Sequence, residues 1–241
     1  MEASVPLGQG SAITAKRVGL MPASLKTPDT LPAGVWQGLL QHAYSLIDDI
    51  AVHGIQNPFW TFGGGTVLML RYRHRMSKDI DIFVPDPQYL GFVSPRLSDV
   101  AEAVSDKYVE GPGYIKLIRP EGEIDFVASP NLTDEPFEEW ELLGRRVKVE
   151  TSAEIVAKKL WHRGDRATAR DLFDLAIVIE REPTALAAAS SFLTRHRGEF
   201  LTQVEQRKVV LKAQFEAIDT LEYQPSYEQA AASVSAFLLS L

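Results

Sequence analysis

Between Phe59 and Pro85 the chain reads FWTFGGGTVLMLRYRHRMSKDIDIFVP, and this stretch limits the possible folds more than any other. Phe59 to Phe62 predicts a strand, Gly63, Gly64 and Gly65 predict a tight turn, and a short helix opens at Thr66. A basic link from Arg71 to Lys78 then leads into a second predicted strand, Asp79 to Val84. A glycine turn feeding a helix N-terminus lets backbone N–H groups approach a phosphate, and the helix end favours negative charge there. Thr66 adds a hydroxyl at the same place. Thirteen residues later Asp79 and Asp81 stand two apart on one strand, so both side chains share a face. Paired hard carboxylates suit magnesium, which takes oxygen ligands and keeps substrate phosphates in its shell. A phosphate cradle followed by a two-carboxylate metal seat describes a nucleoside triphosphate site.

Neither half of that pattern is decisive alone. Glycine turns are common, and alternating acids on a strand usually mark a solvated face. Here Ile80, Ile82 and Phe83 supply apolar neighbours, and Glu123-Ile124-Asp125-Phe126-Val127 repeats the arrangement with Asp125 inside an apolar run. An unpaired charge in such a place is costly. Three acids on two neighbouring strands beside a glycine turn favour a metal site over an isolated ion pair.

The rest of the chain fits an α/β half followed by a helical half. Residues 1–31, rich in Ser, Ala, Pro and Thr without periodicity, read as a partly ordered arm. Residues 32–150 read as the α/β core. They begin with a helix from Pro32 to about Gly54, whose apolar positions recur at three and four. A helix from Ser94 to Val104 follows, then strands at Lys107–Glu110, Tyr114–Arg119 and Glu123–Ala128. After an acidic loop, Asp134 to Glu141, one more strand is expected at Arg145–Val149. Residues 151–241 read as a helical bundle, with helices starting near Ser152, Ala167, Thr184, Glu199 and Ser226.

The absence of cysteine excludes disulfides, zinc–thiolate sites and thiol nucleophiles. A net charge of −7 argues against nucleic-acid binding over the whole surface. It leaves room for two local basic clusters, Arg71, Arg73, His74, Arg75 and Lys78, and Lys158, Lys159, His162, Arg163, Arg166 and Arg170. No apolar core of signal-peptide length opens the chain, and no run approaches the ~18 apolar residues of a membrane span. A cytoplasmic protein without membrane contact is the expectation.

Gly64-Gly65-Thr66, followed by His74-Arg75-Met76-Ser77-Lys78-Asp79-Ile80-Asp81-Ile82-Phe83, resembles the nucleotidyltransferase fold of DNA polymerase beta type. More narrowly it resembles the AbiEii/AbiGii toxins of bacterial toxin–antitoxin and phage-defence systems. Glu154-Ile155-Val156-Ala157-Lys158-Lys159-Leu160, Arg163 and Arg170-Asp171-Leu172-Phe173-Asp174-Leu175 are similar to that family's second block. The resemblance covers roughly residues 55–180. It implies in-line transfer of a nucleoside monophosphate from a nucleoside triphosphate, with magnesium (or manganese) held by Asp79, Asp81 and Asp125. Asp125 would also help remove the acceptor's proton. Gly64, Gly65 and Thr66 would hold the outer phosphates, with Arg75 and Arg170 as further contacts. Lys159 would neutralise the triphosphate, and Asp171 would orient it or meet the base. The doubled lysine leaves Lys158 open for the same role; Lys159 is preferred because Leu160 follows it directly.

The competing explanation for Lys159, Arg170, Asp171 and Asp174 is a salt-bridged helix pair, since Arg170 and Asp174 are i,i+4 neighbours. By resemblance the acceptor is RNA, a tRNA 3′ end in particular, and the role is a toxin countered by a separate antitoxin. Protein nucleotidylation, a silent nucleotide- or partner-binding regulator, and a small-molecule transferase are the alternatives.

Overall fold

Alternation along two central strands sorts their side chains into a dry face and a polar face, and the rest of the chain packs around that division. The computed structural model describes residues 31–241. The expected N-terminal arm therefore lies, apart from Leu31, outside the described residues.

The three-and-four apolar spacing after Pro32 forms α1 (Trp36–Val52), which buries Leu39, Leu40, Ala43, Leu46, Ile47 and Ile50. Burying each such large aliphatic side chain contributes about 1.5–3 kcal/mol. β1 (Thr61–Gly63) runs straight into α2 (Gly64–Tyr72), which stops where Arg73 turns left-handed at φ +50°. β2 (Ile80–Val84) begins one residue after Asp79. A 3-10 segment (Pro87–Val93) precedes α3 (Asp99–Val104), a shorter helix than the sequence suggests. It starts late because the Ser98 hydroxyl, not Ser94, accepts the capping bond, from the Ala101 amide.

β3 (Tyr108–Gly111), β4 (Tyr114–Ile118) and β5 (Glu123–Ala128) form an antiparallel meander. The expected acidic loop is instead largely a strand, β6 (Phe137–Leu142), hairpinned to β7 (Arg145–Glu150). Its acids alternate with Trp140 and Leu142, which are buried while Glu139 and Glu141 face solvent.

The helical half comprises α4 (Ser152–Arg163), α5 (Ala169–Arg181), α6 (Pro183–Ala188) and α7 (Ser190–Leu193), followed by α8 (Arg197–Gln206), α9 (Lys208–Glu216) and α10 (Tyr227–Ser240). The helices expected from Thr184 and from Glu199 each divide in two, at Ala189 and Arg207.

The strands make one seven-stranded sheet in the order β3-β4-β5-β2-β1-β7-β6. β2 pairs parallel with β5, in a register that sets Asp81 opposite Asp125 and Phe83 opposite Val127. β1 pairs antiparallel with β2, placing Gly63 opposite Asp81. Ile80, Ile82, Val84, Ile124 and Phe126, on the intervening positions, are almost wholly buried. The buried apolar residues of both halves of the chain join in a single core cluster.

A strap after α9 ties the helical half to the link between α2 and β2. Arg75 and Thr220 form an antiparallel bridge, and the Met76 amide donates to the Asp219 carbonyl at 2.8 Å. The Leu221 and Glu222 amides donate to the His74 and Arg73 carbonyls at 3.0 and 2.8 Å. Among the described residues no helix is long and apolar enough to cross a membrane.

Candidate active site

The glycine turn is shaped by what presses on it. Gly64 has φ +73°, and a Cβ there would overlap the Asp81 carboxylate. A Cβ on Gly65 would stand 2.6 Å from Arg75 Nη2. Side chains are therefore excluded from the turn by the two groups it packs against, while its backbone borders the cavity described below. Thr66 is fully buried, and its hydroxyl donates to the Asp79 carbonyl at 2.5 Å. In this structure Thr66 anchors the start of β2 to α2.

Asp81 and Asp125 face each other across the parallel pair. Burial raises the Asp81 carboxyl, and neighbouring Asp79 adds to the rise against the opposing charges of Lys159 and Arg163. Burial and the Asp81 charge push Asp125 up to about 7, although Lys116 on β4 lies 3.3 Å from its Oδ2. Asp125 Oδ1 is buried and has no hydrogen-bond partner. Asp79 turns differently, with Oδ1 accepting from the Glu123 amide at 3.0 Å.

Among the described residues no three carboxylate or imidazole groups are gathered tightly enough to grip a metal ion. The donor chemistry nevertheless fits a hard divalent cation. Oxygen donors of adjacent carboxylates share one wall, one of them unpartnered, and a dication relieves the repulsion that lifts both carboxyls.

The opposite wall is cationic, and two buried aspartates on α5 organise it. Asp174 accepts from His74 Nε2 at 2.8 Å, from Arg75 Nε and Nη2 at 2.7 and 2.8 Å, and from Lys159 Nζ at 2.5 Å. Burial opposes its charge, but Arg75 and Lys159 hold the carboxyl well below the ordinary range. Asp171 accepts from Lys159 Nζ at 3.1 Å and Arg163 Nη2 at 2.7 Å, and it closes a capping box with Thr168. Burial raises it, and Lys159 with Arg163 brings it below the usual value.

The two lysines differ in their ion pairs, although both line the recess that adjoins the cavity below. Lys159 belongs to this wall, whereas Lys158 turns away and pairs with the buried Glu150 at 2.5 Å and with Glu154 at 3.3 Å. The first basic cluster is not a surface patch, because His74 and Arg75 are buried on Asp174 and Arg71 binds Glu138 and the Glu150 carbonyl.

These walls enclose a cavity of about 690 Å³. It brings together Gly65, Arg75, Asp79, Asp81, Asp125, Lys159 and Arg170 of the sequence-derived candidates. Gly64 lines the adjoining, more apolar recess of about 230 Å³, while Thr66 and Asp171 support the walls from behind. Sequence reasoning passed over Lys116, although a lone cation in the apolar run Tyr114–Ile118 was a signal of the same kind as Asp125. It also gave Asp174 less weight than Asp171, although Asp174 binds more of the site.

Two solved structures are similar to the chain at low identity. The nucleotidyltransferase toxin MenT4 of Mycobacterium tuberculosis is 18% identical with a TM-score of 0.48, over 86% of this chain and 85% of its own. JHP933 of Helicobacter pylori is 14% identical with a TM-score of 0.48, over 88% of this chain and 93% of its own. No curated protein sequence matches the chain. The sequence profile of the nucleotidyl transferase AbiEii toxins of type IV toxin–antitoxin systems matches residues 45–237, spanning both walls of the cavity. On that match, the chain belongs to the AbiEii nucleotidyltransferase toxin family.

Proposed function

We propose that this toxin is a magnesium-dependent enzyme that moves a nucleoside monophosphate from a nucleoside triphosphate to an RNA acceptor, a tRNA 3′ end being the specific candidate. The observation that carries the reading is the facing pair Asp81 and Asp125, with the unpartnered Oδ1 of Asp125, set against a cationic wall of Lys159 and Arg163.

Asp81 and Asp125, joined by Asp79, would hold the divalent ion, which supplies charge neutralisation at the reacting phosphate and acidifies the acceptor hydroxyl. Lys159 and Arg163 meet the triphosphate and balance the charge that builds on the departing pyrophosphate. Arg170, exposed at the start of α5, reaches the same anion from the cavity mouth. Gly64 and Gly65, which carry no side chain of their own, would offer backbone N–H groups to the phosphates. Asp125, whose Oδ1 has no partner, would accept the acceptor's proton. Asp171 and Asp174 act through the cations they hold. In the cell the enzyme works in the cytoplasm, and a separate antitoxin counters it.

The test is a transfer assay with magnesium, each of four α-labelled triphosphates, and a mixture of total tRNA and cell protein. The expected result is label on RNA that vanishes in Asp81→Ala. Label on protein instead would overturn the RNA acceptor, and folded wild type that labels neither would overturn both.

A further inference from the structure

One wall of the cavity has no task in that scheme. It is formed by the end of α9 and the strap behind it, through Gln214, Ala217, Ile218 and Asp219. Ala217 and Ile218 offer apolar surface, and Ile218 is backed by the core. Gln214 and Asp219 are exposed there, and among the described residues their side chains make no hydrogen bond or ion pair.

The Asp219 backbone, in contrast, is fixed. Its carbonyl accepts from Met76, three residues before Asp79, and the neighbouring Thr220 bridges to Arg75. The wall is thus tied to the chain segment that delivers the carboxylates, and its distance from the reacting phosphate is set by the fold.

With the triphosphate against Lys159, Arg163 and Arg170, the base is left to face this remaining wall. A base needs an apolar surface beneath its ring and polar groups at its edge. Gln214 offers both a donor and an acceptor, and the Asp219 carboxylate offers acceptors alone. We infer that Gln214 and Asp219 are specificity-determining residues that read the base edge of the incoming nucleoside triphosphate, with Ala217 and Ile218 beneath the ring. The inference rests on the nucleotide reading above and adds its selectivity. A carboxylate attracts exocyclic amines and repels a carbonyl oxygen, so bases bearing an amine are favoured over uracil.

Equilibrium dialysis with magnesium tests this without any acceptor. Wild type, Gln214→Ala, Asp219→Ala and Asp219→Asn are each given the four triphosphates and, as a base-free probe, inorganic tripolyphosphate. Wild type is expected to hold the amine-bearing triphosphates roughly tenfold tighter than UTP, and Asp219→Ala to shrink that gap to about twofold. Asp219→Asn, which keeps the shape, should also relax the rejection of UTP, whereas a merely structural role would be restored by it. Tripolyphosphate should bind all four proteins alike. Unchanged base ranking in the variants, equal binding of all bases by wild type, or a parallel fall in tripolyphosphate binding would overturn base reading while leaving the nucleotide site standing. Wild type that binds neither triphosphates nor tripolyphosphate would overturn the nucleotide reading itself, and this inference with it.

Discussion

Arg75 lies along the Asp174 carboxylate, Nε 2.7 Å from one oxygen and Nη2 2.8 Å from the other, and both residues are buried. Removing one member of a buried pair leaves an uncompensated charge, at about 3–5 kcal/mol. Asp174→Ala, which also strands His74 and takes one of Lys159's two carboxylates, is expected to lose that much in urea denaturation. Arg75→Lys should also lose stability, because an ammonium cannot reproduce the two-pronged contact.

The adjacent lysines should fail in different assays. Lys159→Ala faces the cavity and is expected to cut nucleotidyl transfer about a hundredfold or more, with a smaller loss of stability than at Lys158 because Arg75 and Arg163 still pair Asp174 and Asp171. Lys158→Met leaves Glu150 and Glu154 buried without their cation and should unfold at markedly lower urea, by about 3–5 kcal/mol. Thermal melts beside transfer rates separate the two outcomes.

Acidity gives a third handle. Asp125 and Glu150 are both raised to about 7, chiefly by burial, so the folded chain keeps protons that the unfolded chain has released. Stability of the chelated protein should therefore decline as pH rises from about 5 to about 8. That window lies above the titration of Asp171 and Asp174, whose lowered values protect stability until strong acid. Asp125→Asn removes one contribution and should melt about 3 °C or more above wild type at pH 8 in chelator, while losing transfer activity.

Gly64→Ala tests the crowded turn. A left-handed backbone strain of about 1–3 kcal/mol adds to displacement of Asp81. The variant is expected to lose transfer activity out of proportion to its stability, read as kcat against urea midpoint.

The glycine turn, Asp81 and Asp125 were legible because local spacing puts each in a turn or within an apolar strand, whereas Asp79, expected to share a face with Asp81, lies one residue before β2 and turns to the Glu123 amide. The sheet-to-helix change near residue 150 was legible for the same reason, since periodicity shifts there. Asp174 was not. Its i,i+4 relation to Arg170 suggests a surface pair, while its partners are Lys159 on α4 and, 99 to 100 residues away on the link before β2, His74 and Arg75. β6 was misjudged as a loop because its acids outweighed the Trp140–Leu142 alternation. The wall from Gln214 to Asp219 carries no motif, and backbone pairing with residues 73–76, distant in sequence, brings it to the cavity.

That bridge has a consequence for biosynthesis. The segment that completes the cavity is translated long after the glycine turn and the carboxylates it faces. Contacts this distant in sequence close only after intervening chain has folded, and chains fold from the N-terminus as they emerge. A growing polypeptide can hold its acids and its turn yet lack the Arg75–Asp174 anchor and the strap at Asp219. The cavity therefore gains this wall only once residues 214–222 have been made and have docked on the link before β2.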